Sequence, residues 1–284
     1  MLLAVAAAWA FPQDTGTQST GLRDTGSHIT GSTDSSTTLT IAATKAQAPT
    51  ARLSWTELPA PEAPQASPAA RRVDCSQERC VALTFDDGPG PHTKRLLRIL
   101  EQYDARATFF LVGKMVHAHP WVARRIADAG HEVGVHSWSH PDLRNLTAQQ
   151  VRAQLVRTRR IIEQTTGDRP VLSRPPYGAS SERVRAEHRR ADLAEILWTV
   201  DPTDWKHRNA RVVRRSVERD LRRNSIVLLH DIRPTTVDAI PALLRHLERR
   251  RITLVTVSEL LGETQPGVTY GRPDWSPQMQ RDLR

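Results

Sequence analysis

The stretch Cys80–Gly90 reads CVALTFDDGPG and joins an apolar segment to two adjacent carboxylates. The run VALTF, which begins at Val81, is apolar or β-branched, and such a run predicts a buried strand. Asp86 and Asp87 follow it directly, and the glycine and proline after them predict a turn. Because two neighbouring carboxylates repel each other and are costly to desolvate, we expect them either to lie in open solvent or to face a cation.

The composition allows one large α/β domain or two small ones. The chain has 284 residues, of which 38% are hydrophobic, and this is too polar on average for a membrane protein. Residues 1–10 are apolar and carry Ala8 and Ala10 in the small-residue arrangement of a signal-cleavage site, without a basic segment before them. We therefore predict a truncated signal peptide over residues 1–10, and a secreted or cell-wall-associated protein without stable membrane insertion.

The segment from residue 11 to residue 72 is rich in Ser, Thr, Ala and Pro and has no helical or strand periodicity, which predicts a disordered linker. Its charges balance, so the net charge of +9 belongs to the residues after Arg72 and is carried mainly by arginine. No nucleic-acid motif or aromatic platform accompanies these arginines, and we interpret them as solvated helix faces rather than a nucleic-acid site. Cys75 and Cys80 are predicted to close a small disulfide loop before the first strand.

Short apolar runs then alternate with amphipathic charged runs, a pattern typical of repeated βα units with parallel strands. Seven strands are predicted, at residues 81–85, 106–112, 131–136, 170–173, 195–200, 225–230 and 252–257. The composition does not change again along this part of the chain. We therefore predict one α/β domain with a barrel-like sheet over residues 73–262, followed by a C-terminal tail over residues 263–284.

Chemically reactive residues follow five of the seven predicted strands, at the edge where parallel strands present their carboxyl ends. They are Asp86 and Asp87, His136 and His140, the RPPYG segment 174–178, the DPTDW segment 201–205, and His230 with Asp231. Two histidines at positions i and i+4 beside a carboxylate are a usual ligand set for zinc or a similar divalent ion. The sequence therefore predicts a metal-dependent site at this edge of the sheet.

The segments TFDDGP, HSWSH, RPPYG, DPTDW and LLHD, in this order, resemble the five motifs of the polysaccharide deacetylases, the NodB homology domain of carbohydrate esterase family 4. The resemblance covers about residues 73–261. It implies a distorted (β/α)7 barrel, a divalent metal that is usually Zn²⁺, with Co²⁺ or another divalent ion as the alternative, and hydrolysis of acetyl groups on a sugar polymer. We expect the substrate to be peptidoglycan or a chitin-type oligosaccharide with N-acetylglucosamine units, and the protein to be a monomer.

The resemblance gives roles to the residues that match the first three motifs. It implies that the metal is held by Asp87, His136 and His140. The neighbouring Asp86 would be the general base. Arg174 would lie against this base and, together with the metal, compensate its negative charge.

The remaining motifs supply an acid and a substrate surface. The resemblance implies that His230 is the general acid and that Asp201 is the partner that favours its cationic form. The backbone N–H of Tyr177 would stabilise the oxyanion, and Leu228 would contact the acetyl methyl group. The ring faces on which sugars could rest belong to Tyr177, Trp138 and Trp205. We interpret Asp204 and Asp231 as structural hydrogen-bonding residues.

Two other functions remain as alternatives. An esterase that removes O-acetyl groups from xylan would use the same site, and it would not need a protonated leaving group. A non-catalytic carbohydrate-binding barrel is expected to have lost the base, a metal ligand or the acid, whereas every one of these residues is present in the sequence.

Overall fold

Strands paired in parallel form the sheet of the computed structural model, which describes residues 73–271. The predicted signal peptide at residues 1–10, the linker at residues 11–72 and the last part of the predicted tail, residues 272–284, lie outside the described residues. Within the described range, none of the helices combines the length and the apolar character that a membrane crossing requires.

The strands follow one another around a barrel. They are β1 Cys80–Asp86, β2 Thr108–Leu111, β3 Glu132–Val135, β4 Leu172–Ser173, β5 Ala194–Ile196, β6 Ser225–His230, β7 Thr253–Leu254 and β8 Thr269–Tyr270. Their order in space is β6-β1-β2-β3-β4-β5-β8, and β7 pairs with β1 beside this path. A bridge between Val200, which lies after β5, and Val227 in β6 links the two sides of the path. The predicted distorted (β/α)7 barrel is confirmed.

Eight helices surround this sheet or cover one end of it within the described residues. They are α1 Thr93–Gln102, α2 Gly113–Ala118, α3 Pro120–Asp128, α4 Ala148–Thr166, α5 Glu182–Arg190, α6 Ala210–Asp220, α7 Pro234–Arg249 and α8 Val257–Leu261. Local signals in the sequence fix their ends. For example, Thr147 and Gln150 form a capping box at the start of α4, and Gly167 ends that helix with a φ of 83°.

Alternate residues along each strand face two different cores. Val81, Leu83 and Phe85 of β1 belong to a large cluster shared with the helices, whereas Ala82 belongs to a smaller cluster inside the barrel. Because side chains alternate with a period of two along a strand, Thr84 and Asp86 share the inward side with Ala82. The inward positions near the carboxyl ends of the strands are therefore available for polar chemistry, while the outward positions stabilise the fold by burial.

The end of the domain differs from the prediction. The strand predicted at residues 252–257 forms only the two residues of β7, because Thr256 caps α8 through a capping box with Glu259. The additional strand β8 lies beyond the predicted domain end at residue 262 and pairs with β5 at Glu195 and Ile196. A strand of two residues is too short to show the alternation by which strands are found in a sequence, and it was therefore missed.

The predicted disulfide between Cys75 and Cys80 is present in the structure. Arg223, which lies just before β6, donates hydrogen bonds to the carbonyl oxygens of Cys75 and Ser76. The disulfide and these hydrogen bonds fasten the start of the described chain to the amino ends of β1 and β6.

Gly134 in β3 leaves room for a large ring inside the barrel. A Cβ atom added at Gly134 would lie 2.6 Å from the ring of Phe110, in the neighbouring strand β2. The same ring lies under the guanidinium of Arg174, with the Cζ atom 4.2 Å from the ring centroid. The absence of a side chain at residue 134 therefore sets the position of Phe110 and, through it, supports Arg174.

We predict that Gly134→Ala lowers the free energy of unfolding by about 1–3 kcal/mol, because the added methyl group overpacks the barrel interior. Urea denaturation measures this change. Phe110→Ala removes the ring atoms Cδ1 and Cε1 that the methyl group would strike, so the double variant should lose less stability than the sum of the single variants. Strictly additive losses would contradict the proposed contact.

Candidate active site

Backbone conformations with positive φ present several side chains at the carboxyl ends of the strands. Asp87 has a φ of 74°, Ser137 of 66°, His140 of 59° and Tyr177 of 62°. Each such conformation costs a residue other than glycine on the order of 1–3 kcal/mol and is found most often at functional sites. Hydrogen bonds compensate for part of this strain, since Ser137 Oγ accepts a hydrogen bond of 3.0 Å from the backbone N–H of His140.

Asp87, His136 and His140 converge on one point. Each of them offers one ligand atom, and the three ligand atoms lie within 4.8 Å of one another. Asp87 Oδ1 lies 3.2 Å from His140 Nε2 and 3.5 Å from His136 Nε2. The three residues predicted to hold a metal are thus brought together, although two of them are separated from Asp87 by about fifty positions in the sequence.

The second nitrogen of His136 is already occupied. The carbonyl oxygen of Arg174 accepts a hydrogen bond from His136 Nδ1 at 2.7 Å. Since a carbonyl oxygen can only accept, Nδ1 carries the proton, and the lone pair of the neutral ring is on Nε2, the atom that faces Asp87. This is the arrangement by which metal-binding histidines are usually oriented.

The donor set fits a divalent cation. Asp87 Oδ1 is buried and has no hydrogen-bond partner among the described residues. Burial raises the pKa of Asp87, but the close approach and charge of His136 and the charge of His140 outweigh it and hold the pKa well below its ordinary value. An ionised, unpartnered carboxylate oxygen beside two imidazole nitrogens is a typical three-ligand set for Zn²⁺, with room for water as a further ligand.

Asp86 faces Arg174 instead. Arg174 is fully buried, and its Nη1 donates hydrogen bonds to Asp86 Oδ1 at 2.8 Å and to Thr84 Oγ1 at 2.6 Å. The other guanidinium nitrogens donate to the carbonyl oxygens of Ile196 and Leu197 at 3.1 Å and 3.0 Å. A buried charge must be paired and hydrogen-bonded to be tolerated, and Arg174 meets this requirement. The two adjacent carboxylates therefore have different partners.

His230 lies beside Asp86 at the end of the neighbouring strand, and Asp204 is its partner. The residues Asp86 and His230 are paired in register between β1 and β6. His230 Nδ1 donates a hydrogen bond to Asp204 Oδ1 at 2.7 Å, and Asp204 Oδ2 accepts from the His230 backbone N–H at 2.8 Å and from Thr236 Oγ1 at 2.7 Å. Burial lowers the pKa of His230, but the hydrogen bond and charge of Asp204 raise the pKa to about 9.

The predicted pairing of Asp201 with His230 is wrong. Asp201 Oδ1 accepts a hydrogen bond of 2.7 Å from the backbone N–H of Thr203, and burial raises the pKa of Asp201. Thr203 has a φ of 51°, so the chain turns sharply between the two aspartates and aims Asp204 rather than Asp201 at β6. The motif DPTDW contains both residues, and its spacing alone does not show which of them reaches the histidine.

The predicted substrate residues occupy different surroundings. Tyr177 is 69% exposed, and its ring meets the ring of His140 edge-on, with centroids 4.7 Å apart. Trp205 is also exposed, whereas Leu228 is buried on the inward side of β6. Trp138 is partly buried under Arg157, whose Cζ lies 3.5 Å from the ring centroid, and it packs against Gly113. Its surroundings are those of a packing residue.

Comparison with known proteins agrees with these features. Residues 74–196 match the family model described as polysaccharide deacetylase. Over 192 residues the chain is 33% identical to a peptidoglycan-N-acetylglucosamine deacetylase of Bacillus cereus, a match that covers 66% of this chain and 90% of the relative. The chain belongs to the polysaccharide deacetylase family.

Other members of the polysaccharide deacetylase family resemble the chain in sequence and structure. The peptidoglycan-N-acetylmuramic acid deacetylase PdaC of Bacillus subtilis is 41% identical over 194 residues, which is 68% of this chain but only 41% of PdaC. The solved structure described as T48 deacetylase with substrate has 39% sequence identity and a TM-score of 0.67, and the match covers 70% of this chain and 99% of that one.

Membership of this family does not by itself establish catalysis. A protein from Bacillus anthracis described as a pseudoenzyme of the same family matches with 31% identity and a TM-score of 0.63, covering 69% of this chain and 70% of that one. The chain also covers less than half the length of the first curated relatives that it matches, 41% and 39%. Whether this chain is catalytic therefore depends on the arrangement of its own side chains.

The sequence does not predict the roles of two residues at this site, Thr84 and Asp204. Thr84 receives a hydrogen bond from Arg174 and donates one of 2.7 Å to the carbonyl oxygen of Val227, and so joins β1 to both sides of the barrel. Its inward position, two residues before Asp86, is a signal that the alternation of the strand contains. The sequence favours only a structural role for Asp204, because no pattern in it gives Asp204 preference over Asp201.

We predict that Asp204→Asn lowers the pKa of His230, because the variant removes the negative charge that stabilises the imidazolium. An NMR titration of the His230 ring in isotope-labelled protein measures this pKa. Asp201→Asn is the matched control and should change it less, since Asp201 bonds Thr203 instead. A larger shift in the Asp201 variant would restore the pairing predicted from the sequence.

Proposed function

We propose that this chain is a metal-dependent hydrolase that removes acetyl groups from N-acetylglucosamine units of a polysaccharide and releases acetate. The observation that carries the proposal is the separate pairing of two adjacent carboxylates: Asp87 faces two imidazoles, and Asp86 faces a buried guanidinium. This division leaves one carboxylate as a metal ligand and the other as a base next to it. Metal-assisted hydrolysis of an amide uses both roles.

Asp87, His136 and His140 would hold the ion at the carboxyl ends of β1 and β3. When bound, a divalent ion lowers the pKa of water and polarises a carbonyl oxygen, which is the chemistry that this reaction needs. The hydrogen bond from His136 Nδ1 to the Arg174 carbonyl keeps the ring in the required orientation. We propose Zn²⁺ as the ion, with Co²⁺ as the alternative.

Asp86 would act as the general base and take a proton from the attacking water. Arg174, whose Nη1 also donates to Thr84 Oγ1, holds Oδ1 of Asp86, so that Oδ2 is the oxygen directed toward the site. Asp86 Oδ2 lies 3.7 Å from His136 Nε2, which puts the proposed base next to the proposed ligands. The water oxygen would form its new bond to the acetyl carbon while Asp86 takes the proton.

The other residues would stabilise the developing charge and release the amine. The backbone N–H of Tyr177 would donate to the oxyanion, and the inward-facing Leu228 would contact the acetyl methyl group. His230, kept protonated by Asp204, would give its proton to the sugar nitrogen as the carbon–nitrogen bond breaks. The products are acetate and a free amine, and the proton held by Asp86 restores the one lost by His230.

Peptidoglycan is the polymer that we propose, because the curated relatives named above are described as peptidoglycan deacetylases. Chitin-type oligosaccharides carry the same N-acetylglucosamine unit. The proposed place of action is the cell wall, outside the cell, and the proposed partner is the polysaccharide itself, with the protein acting as a monomer. Tyr177 and Trp205 are exposed and could support sugar rings.

The test of substrate class is acetate release from peptidoglycan, N-acetylglucosamine oligomers and acetylated xylan, each with and without a chelator. We expect release from the first two substrates and loss of activity when the metal is removed. Release from xylan alone would favour the O-acetyl esterase. No release from any of them by metal-loaded protein would favour the non-catalytic barrel.

Replacing the two carboxylates should separate their roles. We predict that Asp86→Asn retains bound metal but loses turnover by about 10²–10⁴-fold, because the proton acceptor is removed while an amide oxygen can still accept the hydrogen bond from Arg174. Asp87→Asn should lose metal affinity as well as turnover. Metal content by elemental analysis and kcat by acetate release measure the two effects. Equal loss of metal in both variants would show that the roles have been assigned incorrectly.

The pH dependence of kcat tests the acid. Because the pKa of His230 is raised, the protonated acid is present at neutral pH and is lost as the pH rises through that pKa. We therefore predict that kcat falls at alkaline pH and that Asp204→Asn moves this fall to lower pH. His230→Ala should lower kcat and remove the alkaline limb. An unchanged profile in the His230 variant would exclude the residue from the mechanism.

A further inference from the structure

Asp231 is a buried carboxyl group that the proposed reaction does not use. It directly follows His230 at the end of β6, and its side chain is fully buried. Asp231 Oδ2 accepts a hydrogen bond from Thr93 Oγ1, whereas Asp231 Oδ1 has no hydrogen-bond partner among the described residues. Burying a carboxyl group with an unpaired oxygen is costly, so its presence requires an explanation.

Thr93 connects this carboxyl group to the loop that carries Asp87. Thr93 is the first residue of α1 and is also fully buried. While it donates to Asp231, its Oγ1 accepts a hydrogen bond of 2.7 Å from the backbone N–H of Gly90. One hydroxyl group therefore joins the end of β6 to the loop 87–90.

The glycines of the loop 87–90 pack directly against residues 231–232. A Cβ atom at Gly88 would lie 2.6 Å from Asp231 Oδ1, and one at Gly90 would lie 2.6 Å from Cγ2 of Ile232. On its other side, the Gly88 carbonyl oxygen accepts a hydrogen bond of 3.0 Å from the backbone N–H of Val112. The loop is thus fixed between β6 and the end of β2, without space for movement toward β6.

We propose that Thr93 and Asp231 are positioning residues that set the distance between the metal ligand Asp87 and the proton donor His230. Asp87 is the first residue of the loop 87–90, and His230 directly precedes residues 231–232. The contact joins these two segments. Loss of the bridge would let the two segments move apart, which would weaken metal binding and misplace the acid. The kinetic part of this inference rests on the proposed function, and the metal-binding part does not.

Thr108 offers a matched control whose hydrogen bonds go to residues 132 and 257 rather than to the loop 87–90. Like Thr93, it is fully buried, and its Oγ1 donates to a carboxylate, Glu132 Oε2 at 2.9 Å, while it accepts from a backbone N–H, that of Val257 at 2.9 Å. Thr108 is the first residue of β2, so this bridge lies at the amino end of the strand. A role in stability alone would make Thr93→Val and Thr108→Val equivalent.

The experiment compares these two variants and Thr93→Ser in the full chain. It measures the melting temperature, the affinity for Co²⁺ alone by competition with a chelator, and kcat and KM for N-acetylglucosamine oligomers. We expect both valine variants to melt at lower temperature. Thr93→Val should also lose about 10–100-fold in Co²⁺ affinity and in kcat with little change in KM. Losses of this size are typical when groups that orient metal ligands through hydrogen bonds are removed. Thr93→Ser keeps the hydroxyl group and should retain the wild-type Co²⁺ affinity and kcat.

Equal Co²⁺ affinity and equal kcat in Thr93→Val and Thr108→Val would overturn the proposal, as would failure of Thr93→Ser to retain the wild-type values. If Thr93→Val does not fold, Thr93→Ala removes the hydroxyl without placing a methyl group against the carboxylate, and the same comparison applies. Absence of deacetylation in the wild-type protein would refute the proposed function and not this inference. The Co²⁺ affinities would still decide whether the bridge positions Asp87.

Discussion

The ion pair between Asp86 and the fully buried guanidinium of Arg174 determines how two adjacent carboxylates share the end of β1. Without it, the negative charges of Asp86 and Asp87 would compete for one cation in a region with little solvent. Arg174 compensates Asp86 from inside the barrel, and Asp87 is left to face the two histidines. Because the Arg174 carbonyl also orients His136, this one residue organises both halves of the site.

The barrel makes this arrangement possible through the alternation of its strands. Outward residues such as Phe85 and Leu229 fill the core beneath the helices, while the inward side of β1 changes from Ala82 to the polar Thr84 and Asp86. Arg174 is stabilised by groups from two other strands: Asp86 and Thr84 of β1, and the carbonyl oxygens of Ile196 and Leu197 at the end of β5. Residues far apart in the sequence therefore stabilise one buried charge.

The sequence predicted the parts of the molecule that depend on local pattern. Apolar runs alternating with amphipathic charged runs predicted the barrel, and the residues at the strand ends predicted a metal site. The family resemblance implied Asp87 and the two histidines as its ligands. The sequence did not distinguish Asp204 from Asp201, because the backbone turn at Thr203 decides which carboxylate reaches His230. It also missed β8, whose pairing with β5 depends on contacts between distant residues rather than on the sequence of the strand itself. A local backbone turn accounts for the first difference and pairing between distant residues for the second.

The central claim is that Asp87, His136 and His140 together bind one divalent ion. X-ray absorption spectroscopy at the zinc edge, on protein loaded with Zn²⁺, measures the ligands of that ion directly. The account predicts one Zn²⁺ per chain, with two imidazole nitrogens and light oxygen ligands at about 2.0–2.2 Å. A spectrum without the scattering pattern of two imidazoles, or a protein that binds no zinc, would contradict it.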